Sequence, residues 1–304
     1  MGHSRIGLYH GEFLIMKQCL IIGASGNVGS EIVKLLGKNS DIRIRVSTSQ
    51  AIEIQKNGDI EKTFLNLITG EGLKAALAGI DRVFLLLPAG YTGDTQYGML
   101  SGVLTEAKQA QIEKMVLMSA YGADAVETAP LARIEKELIA SGLAYNIIRP
   151  NWFMQNFNTY WVDMIRQQHK ILLPAGNAKV SFIDVRDIAA VAAELLTTDK
   201  FVNQAFNLTG PKAIDFSEAA QLLSAALQQK VTYEDSDPNL LKQNMLASGA
   251  SESYADFLLF IFSVLKMGHN AEVTPTVQTI LGRAPNDFEK YVLDYKKAWF
   301  DQPF

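Results

Sequence analysis

Cysteine, histidine, surplus charge and long apolar runs are all scarce in this chain of 304 residues. Its one cysteine, Cys19, cannot form a disulfide within the chain, so no covalent framework holds the fold and a reducing, cytoplasmic setting is expected. Of four histidines, His3 and His10 lie in the first ten residues, so no Cys/His zinc site is expected. Lys and Arg number 28 against 32 Asp and Glu, a net charge of −4. Phosphate neutralisation needs a concentrated cationic excess, which argues against direct nucleic-acid binding. The most apolar stretch, FLLFIFSVLKM at 257–267, is far short of the roughly 20 residues that span a bilayer, so no membrane role is expected. Residues 1–15 lack the apolar core and small-residue cleavage site of a secretory signal. They read as a disordered leader or extension ahead of a domain that starts at Met16.

What the chain does have is apolar content, 48 %, enough for a substantial core. Short apolar runs at 19–22, 42–47, 63–67, 82–87, 114–119 and 144–149 read as strands. Helical patterns separate them at 27–38, 73–77, 99–109 and 134–139. That alternation predicts right-handed βαβ units and an α/β fold: a Rossmann-type, doubly wound parallel sheet over residues 16–150. After Pro150 helical patterns dominate, at 153–168, 185–197, 216–227 and 239–267. Residues 151–304 are therefore expected to form a smaller, mostly helical substrate-binding part, packed as one body with the core because no Gly/Ser/Pro-rich linker intervenes.

The chemistry lies between the first strand and the first helix, in Gly23-Ala24-Ser25-Gly26-Asn27-Val28-Gly29. A string of three glycines is weak evidence alone, but its position between strand and helix is what a dinucleotide requires. Gly23 permits the tight turn, Gly26 lets backbone approach a pyrophosphate, and Gly29 lets helix and strand pack closely. The helix N-terminus then offers free N–H groups and the positive end of its dipole to the phosphates.

The G-x-x-G-x-x-G spacing resembles that of extended short-chain dehydrogenases/reductases. The stretches IIGASGNVGSEIVKLL, GLKAALAGIDRVFLLLP, EAKQAQIEKMVLMSA, IEKELIASGLAYNIIRPNWFMQN and PTVQTILGRAPNDFEKYV sharpen the match. They resemble the NmrA-like atypical branch, which holds bacterial NAD(P)H:quinone reductases, triphenylmethane reductase-like enzymes and dinucleotide-binding regulators. The resemblance implies a cofactor site made of Gly23, Ala24, Ser25, Gly26, Asn27 and Val28, with Ser47 and Thr48 at the adenine ribose. It further implies Leu87, Pro88 and Ala89 along the cofactor, Ser119 and Ala120 at the nicotinamide ribose, and Asn151 and Phe153 on the shelf beneath the nicotinamide. Trp152 and Phe153 serve equally well as core packing.

Two departures from the family shape the functional reading. Ser47-Thr48-Ser49 replaces the arginine often found after the second strand, and no acid is there to grip a free 2′-hydroxyl. Hydroxyls can bond a phosphate, and Arg43 and Arg45 share strand parity with Ser47, so NADP(H) is slightly favoured over NAD(H). The Tyr-x-x-x-Lys pair is also missing: Tyr121 is followed four residues on by Ala125, and Leu131 stands where relatives place Lys or His. A quinone-like or conjugated aromatic acceptor takes hydride without a strong protein acid, because the developing anion is delocalised. Such an oxidoreductase is the favoured reading, with Tyr121, Ser119 and Asn151 as candidate catalytic groups. The alternative is a regulatory, redox-sensing protein that binds NAD(P) with little turnover and acts through a protein partner. A nucleotide-sugar epimerase, which needs the tyrosine pair, is the weakest fit.

Overall fold

The computed structural model describes residues 7–9, 12–14, 16–50, 55–57, 60–88, 90–91 and 93–300. In chain order the elements begin with β1 (Gly7–Tyr9), β2 (Glu12–Leu14), β3 (Lys17–Ile22), α1 (Asn27–Leu36), β4 (Ile42–Thr48), β5 (Gln55–Asn57) and β6 (Ile60–Phe64). Next come α2 (Leu73–Leu77), β7 (Arg82–Leu86), α3 (Gly93–Gln109), β8 (Lys114–Met118), α4 (Pro130–Ala140) and β9 (Ala144–Pro150). There follow α5 (Val162–Gln168), β10 (Lys170–Leu173), α6 (Val185–Thr197), β11 (Gln204–Leu208), α7 (Phe216–Leu227) and β12 (Thr232–Asp235). The last are α8 (Pro238–Ala247), α9 (Glu252–Lys266), α10 (Thr276–Leu281) and α11 (Phe288–Tyr295).

Contacts divide the chain into two units: Met1–Arg149 with Ile188–Asn207, and Pro150–Asp187 with Leu208–Phe304. A division drawn once after residue 150 misses the return of Ile188–Asn207 to the first unit. The return brings β11 to the edge of the sheet beside β9. Within the stretch 1–15, read from sequence as disordered, β1 and β2 form an antiparallel pair that bonds to no other strand among the described residues.

The first unit is built on an eight-stranded sheet of order β11-β9-β8-β7-β3-β4-β6-β5. Every pair from β9 across to β6 is parallel, and β5 adds to β6 antiparallel. From β3 the chain winds outward through β4 to β6, then crosses back to β7 and winds the other way through β8 and β9. With right-handed crossovers, reversing the winding direction moves the helices to the opposite face. Accordingly α2, α3 and α4 pack together over Leu20, Ile22, Val83, Leu85, Met115, Leu117 and Ile147. The alternate residues Cys19, Ile21, Phe84 and Val116, all fully buried, face the other side. Strand order reverses between β3 and β7, and ligands of open α/β sheets bind beyond the carboxyl ends of the strands at such a switch point.

The second unit is mostly helical, with a parallel pair β10–β12. Its core is aromatic: Phe157 meets Trp161 at 4.8 Å, Phe288 at 4.9 Å and Phe182 at 5.3 Å, each ring edge to face. Two helices expected from sequence are broken. The 153–168 pattern gives a short 3-10 turn, Met154–Asn158, and then α5, because the Trp161 N–H donates back to Asn156. The 239–267 pattern splits at Ser248–Ser251, where Gly249 adopts φ +91° and Ser251 caps α9 by accepting from the Tyr254 N–H. Within 179–184, Val180 and Ile183 make isolated bridges to Ile214 and Phe153.

Candidate functional site

Four loops of the first unit leave the carboxyl ends of the neighbouring strands β4, β3, β7 and β8. The loop after β3 is the best defined. Gly23 adopts φ +92°, a conformation that side chains resist, and its carbonyl accepts the Gly26 N–H at 3.1 Å. A β-carbon at Gly29 would lie 2.2 Å from the Gly23 carbonyl oxygen and 2.7 Å from the Ala24 Cα. Gly29 is therefore required by helix–strand contact. At Gly26 a β-carbon would meet nothing nearer than that same oxygen at 3.5 Å. Gly26 is the N-cap of α1 and, lacking a side chain, makes no cap bond to the first amides of the helix. Ser25, Gly26 and Asn27 are exposed while Val28 is buried. The loop thus presents an open, amide-lined cradle of the kind that receives a pyrophosphate, and the residues present fit a dinucleotide.

At the end of β4 the side chains carry hydroxyls. Ser47 and Thr48 are half-buried, and Thr48 Oγ1 accepts the Gln50 N–H at 3.2 Å. Arg45 is committed elsewhere. Its guanidinium pairs with Glu61 at 2.9 Å and donates to the carbonyls of Ala76 and Ala78 at 2.9 and 2.8 Å, closing the C-terminal end of α2. Arg43 is exposed. After β7, Leu87 is buried and the Pro88 carbonyl accepts Gln96 Nε2 at 2.9 Å; Ala89 lies outside the described residues.

The loop after β8 begins at Ser119, whose N–H donates to the Ile148 carbonyl at 2.8 Å. Its hydroxyl is buried and has no hydrogen-bond partner among the described residues, an arrangement that costs about 1–3 kcal/mol unless a bound group satisfies it. Ala120 and Tyr121 follow, both half-buried. Leu131, on α4, packs against the apolar cluster of this unit.

In the second unit Asn151 is 2 % exposed and its amide is fully engaged. Nδ2 donates to Ser181 Oγ and the Asn270 carbonyl, while Oδ1 accepts from the Trp152 N–H and Asn270 Nδ2, all within 2.8–2.9 Å. No donor or acceptor of that side chain is left for a substrate. Its role here is to tie the 151–156 segment to the chain after α9. Phe153 pairs through its backbone with Ile183, and Trp152 packs 5.2 Å from Phe262 against the core of this unit.

Three polar arrangements escape a periodicity reading. Arg149 holds Glu135 and Asp124 in the first unit. In the second, Asp184 is fully buried against Arg186 and Gln155, and Asp187 against Arg283 and Asn286. Burial raises the Asp187 carboxyl above its ordinary value. The one available signal was Glu135 in apolar phase with Leu131, Ile134 and Leu138. Among the described residues no three His, Cys, Asp or Glu side chains are grouped to hold a metal ion, and no helix is long and apolar enough to cross a membrane.

Comparison with known proteins agrees with this geometry. Residues 23–199 match the NAD(P)H-binding family. An NAD(P)H azoreductase of Xenophilus azovorans is 31 % identical over 287 residues, covering 92 % of this chain and 98 % of the relative. The NADP(H) complex of Citrobacter sp. triphenylmethane reductase superposes with a TM-score of 0.77 at 19 % identity, covering 92 % of this chain and 99 % of the other. An NADPH complex of an Escherichia coli quinone oxidoreductase gives 0.78 at 19 %, covering 91 % and 99 %. The chain belongs to the NAD(P)H-binding family, among NAD(P)H-dependent oxidoreductases, and its likeness to the NmrA-like reductases holds.

Proposed function

We propose that the protein is a reductase that passes hydride from NAD(P)H to a quinone-like or conjugated aromatic acceptor, without a Tyr-x-x-x-Lys pair. The observation that carries this reading is the open amide cradle at Gly26, accompanied at the end of β8 by the buried, unpartnered Ser119 hydroxyl. The cradle and the dipole of α1 hold the pyrophosphate, Ser47 and Thr48 meet the adenine ribose, and Leu87 and Pro88 line the path between. A reduced nicotinamide, when bound, supplies the hydride.

The protein's own contribution is orientation and exclusion of water. Ser119 sits where its hydroxyl can bond the nicotinamide end or the acceptor oxygen, and Tyr121 follows two residues later on the same loop. Ala125 occupies the position four residues beyond Tyr121, so the lysine of a Tyr-x-x-x-Lys pair is absent from that position. A delocalised acceptor suits such a site, because proximity supplies most of the rate and solvent completes protonation afterwards. The azo dye, triphenylmethane dye and quinone substrates named for the relatives are all conjugated acceptors. NADPH is the proposed donor, held at its 2′ end by hydroxyls, with NADH also accepted.

The test follows NADPH and NADH absorbance against a panel of quinones, azo dyes and triphenylmethane dyes. Turnover with at least one conjugated acceptor is expected. Tight cofactor binding with no turnover on any of them would establish the dinucleotide-sensing alternative instead.

A further inference from the structure

Resting on that reading, we infer that Arg149 and Asp124 are positioning residues, a clamp that holds the loop carrying Ser119 and Tyr121. Three segments of the first unit meet at the Arg149 guanidinium: the end of β9, helix α4 and the loop 119–129. Glu135 of α4 is 4 % exposed and takes the guanidinium side-on, with Nε 3.0 and 3.1 Å from its two oxygens and the NH2 nitrogen on Oε2. The remaining nitrogen, NH1, reaches Asp124 Oδ2 at 2.5 Å.

Between solvated partners an ion pair does little, because two long side chains must be ordered to make it. Here Glu135 and burial have already fixed the arginine, which is 11 % exposed. Only Asp124 remains to be ordered, so the fork presents a preorganised nitrogen to it. Past Ser119, whose N–H is bonded to Ile148 of β9, the loop's backbone bonds are short-range: Ala123 to Ala120, Ala125 to Gly122, and Ala129 to Val126. Gly122, at φ +77°, adds a turn between Tyr121 and Asp124. The Asp124 pair therefore ties the middle of the loop to the sheet three residues after Tyr121. A second pair, Lys136 to Glu127, lies at the exposed far end of the loop, where it holds no candidate site residue.

The decisive variant is Asp124→Asn, which releases the loop and leaves the buried Arg149–Glu135 pair in place. With NADPH and a benzoquinone or azo-dye acceptor, kcat should fall roughly tenfold. The NADPH dissociation constant should stay within about twofold and the unfolding midpoint unchanged, since the glycine cradle is untouched. Asp124→Glu should recover most of the loss, and Lys136→Met should have no effect. The Asp124→Asn and Tyr121→Phe effects should be less than additive, because both act through one loop. In parallel, amide hydrogen exchange at 120–126 should quicken in Asp124→Asn while β9 and α4 stay protected. Unchanged loop exchange, or a kcat loss matched by equal losses of cofactor affinity and stability, overturns the clamp. If the parent reduces no acceptor, the proposed reaction falls, and loop exchange alone decides the clamp.

Discussion

The glycines of the cofactor loop have opposite reasons for being glycine, and this separates binding from folding. Gly26→Val fills the cradle without straining a backbone at φ −81°. It should weaken NADPH binding at least tenfold by calorimetry, about 1.4 kcal/mol, while costing no more than about 1 kcal/mol of stability as an N-cap change. Gly29→Ala pushes a methyl group into backbone and should cost about 1–3 kcal/mol in urea unfolding. Equal NADPH affinity in Gly26→Val and the parent would move the phosphate site elsewhere. Ser47 offers a second residue-level test. With Arg45 spent on Glu61 and the end of α2, a cation placed at Ser47 has no rival on that strand parity except the exposed Arg43. Ser47→Arg should tighten NADPH binding by about 1–3 kcal/mol, the worth of a charge-assisted bond, and leave NADH nearly unchanged. Equal gains for both cofactors would show that residue 47 does not face the 2′ position. The glycine loop was legible because each of its requirements is local. Arg45, Glu135 and Asn151 were not, because their partners lie 16, 14 and as many as 119 residues away.

Among the elements, α6 shows how a helix end can be closed by the strands beneath it. Lys114, the first residue of β8, donates to the Leu195 and Thr198 carbonyls at 2.7 and 2.9 Å. Arg82, the first of β7, donates to Leu196 at 3.1 Å and pairs with Asp199. Two cations thus satisfy the carbonyl end of the helix and its dipole. Burial, aided by the neighbouring Arg82, lowers Lys114 from 10.5 to about 8. Between those pH values the unfolded chain binds a proton that the fold does not, so the Lys114 contribution to stability rises with pH across that window. Lys114→Met should be less stable throughout and should lack that rise; parallel curves for parent and variant in urea titrations from pH 7.5 to 10 would refute it. The strand–helix alternation of the first unit could be read from its periodicity, since the central strands β3, β7 and β8 are apolar runs buried on both faces. The second unit resisted: KILL and TYED pair with each other in a two-stranded sheet, and one glycine in a left-handed conformation divides what reads as a single long helix.

For the whole molecule, the pair β1–β2 bonds to no other described strand, so removing residues 1–15 should leave the thermal midpoint unchanged. A fall of about 2–4 °C, the mark of roughly 1 kcal/mol, would show that the leader packs on the domain. Cys19 has a complementary use. It lies in β3, between β4 and β7, with no exposed surface, and burial pushes its thiol up to about 12. Because the fold keeps that proton while the unfolded thiol ionises near 9, its contribution to stability falls as pH rises from about 9 toward 12. At neutral pH an alkylating reagent can reach the sulfur only when the central sheet itself opens. The sole thiol is therefore a built-in clock for rare excursions out of the native state, and its labelling half-life should lengthen on adding NADPH by the factor 1 + [NADPH]/Kd.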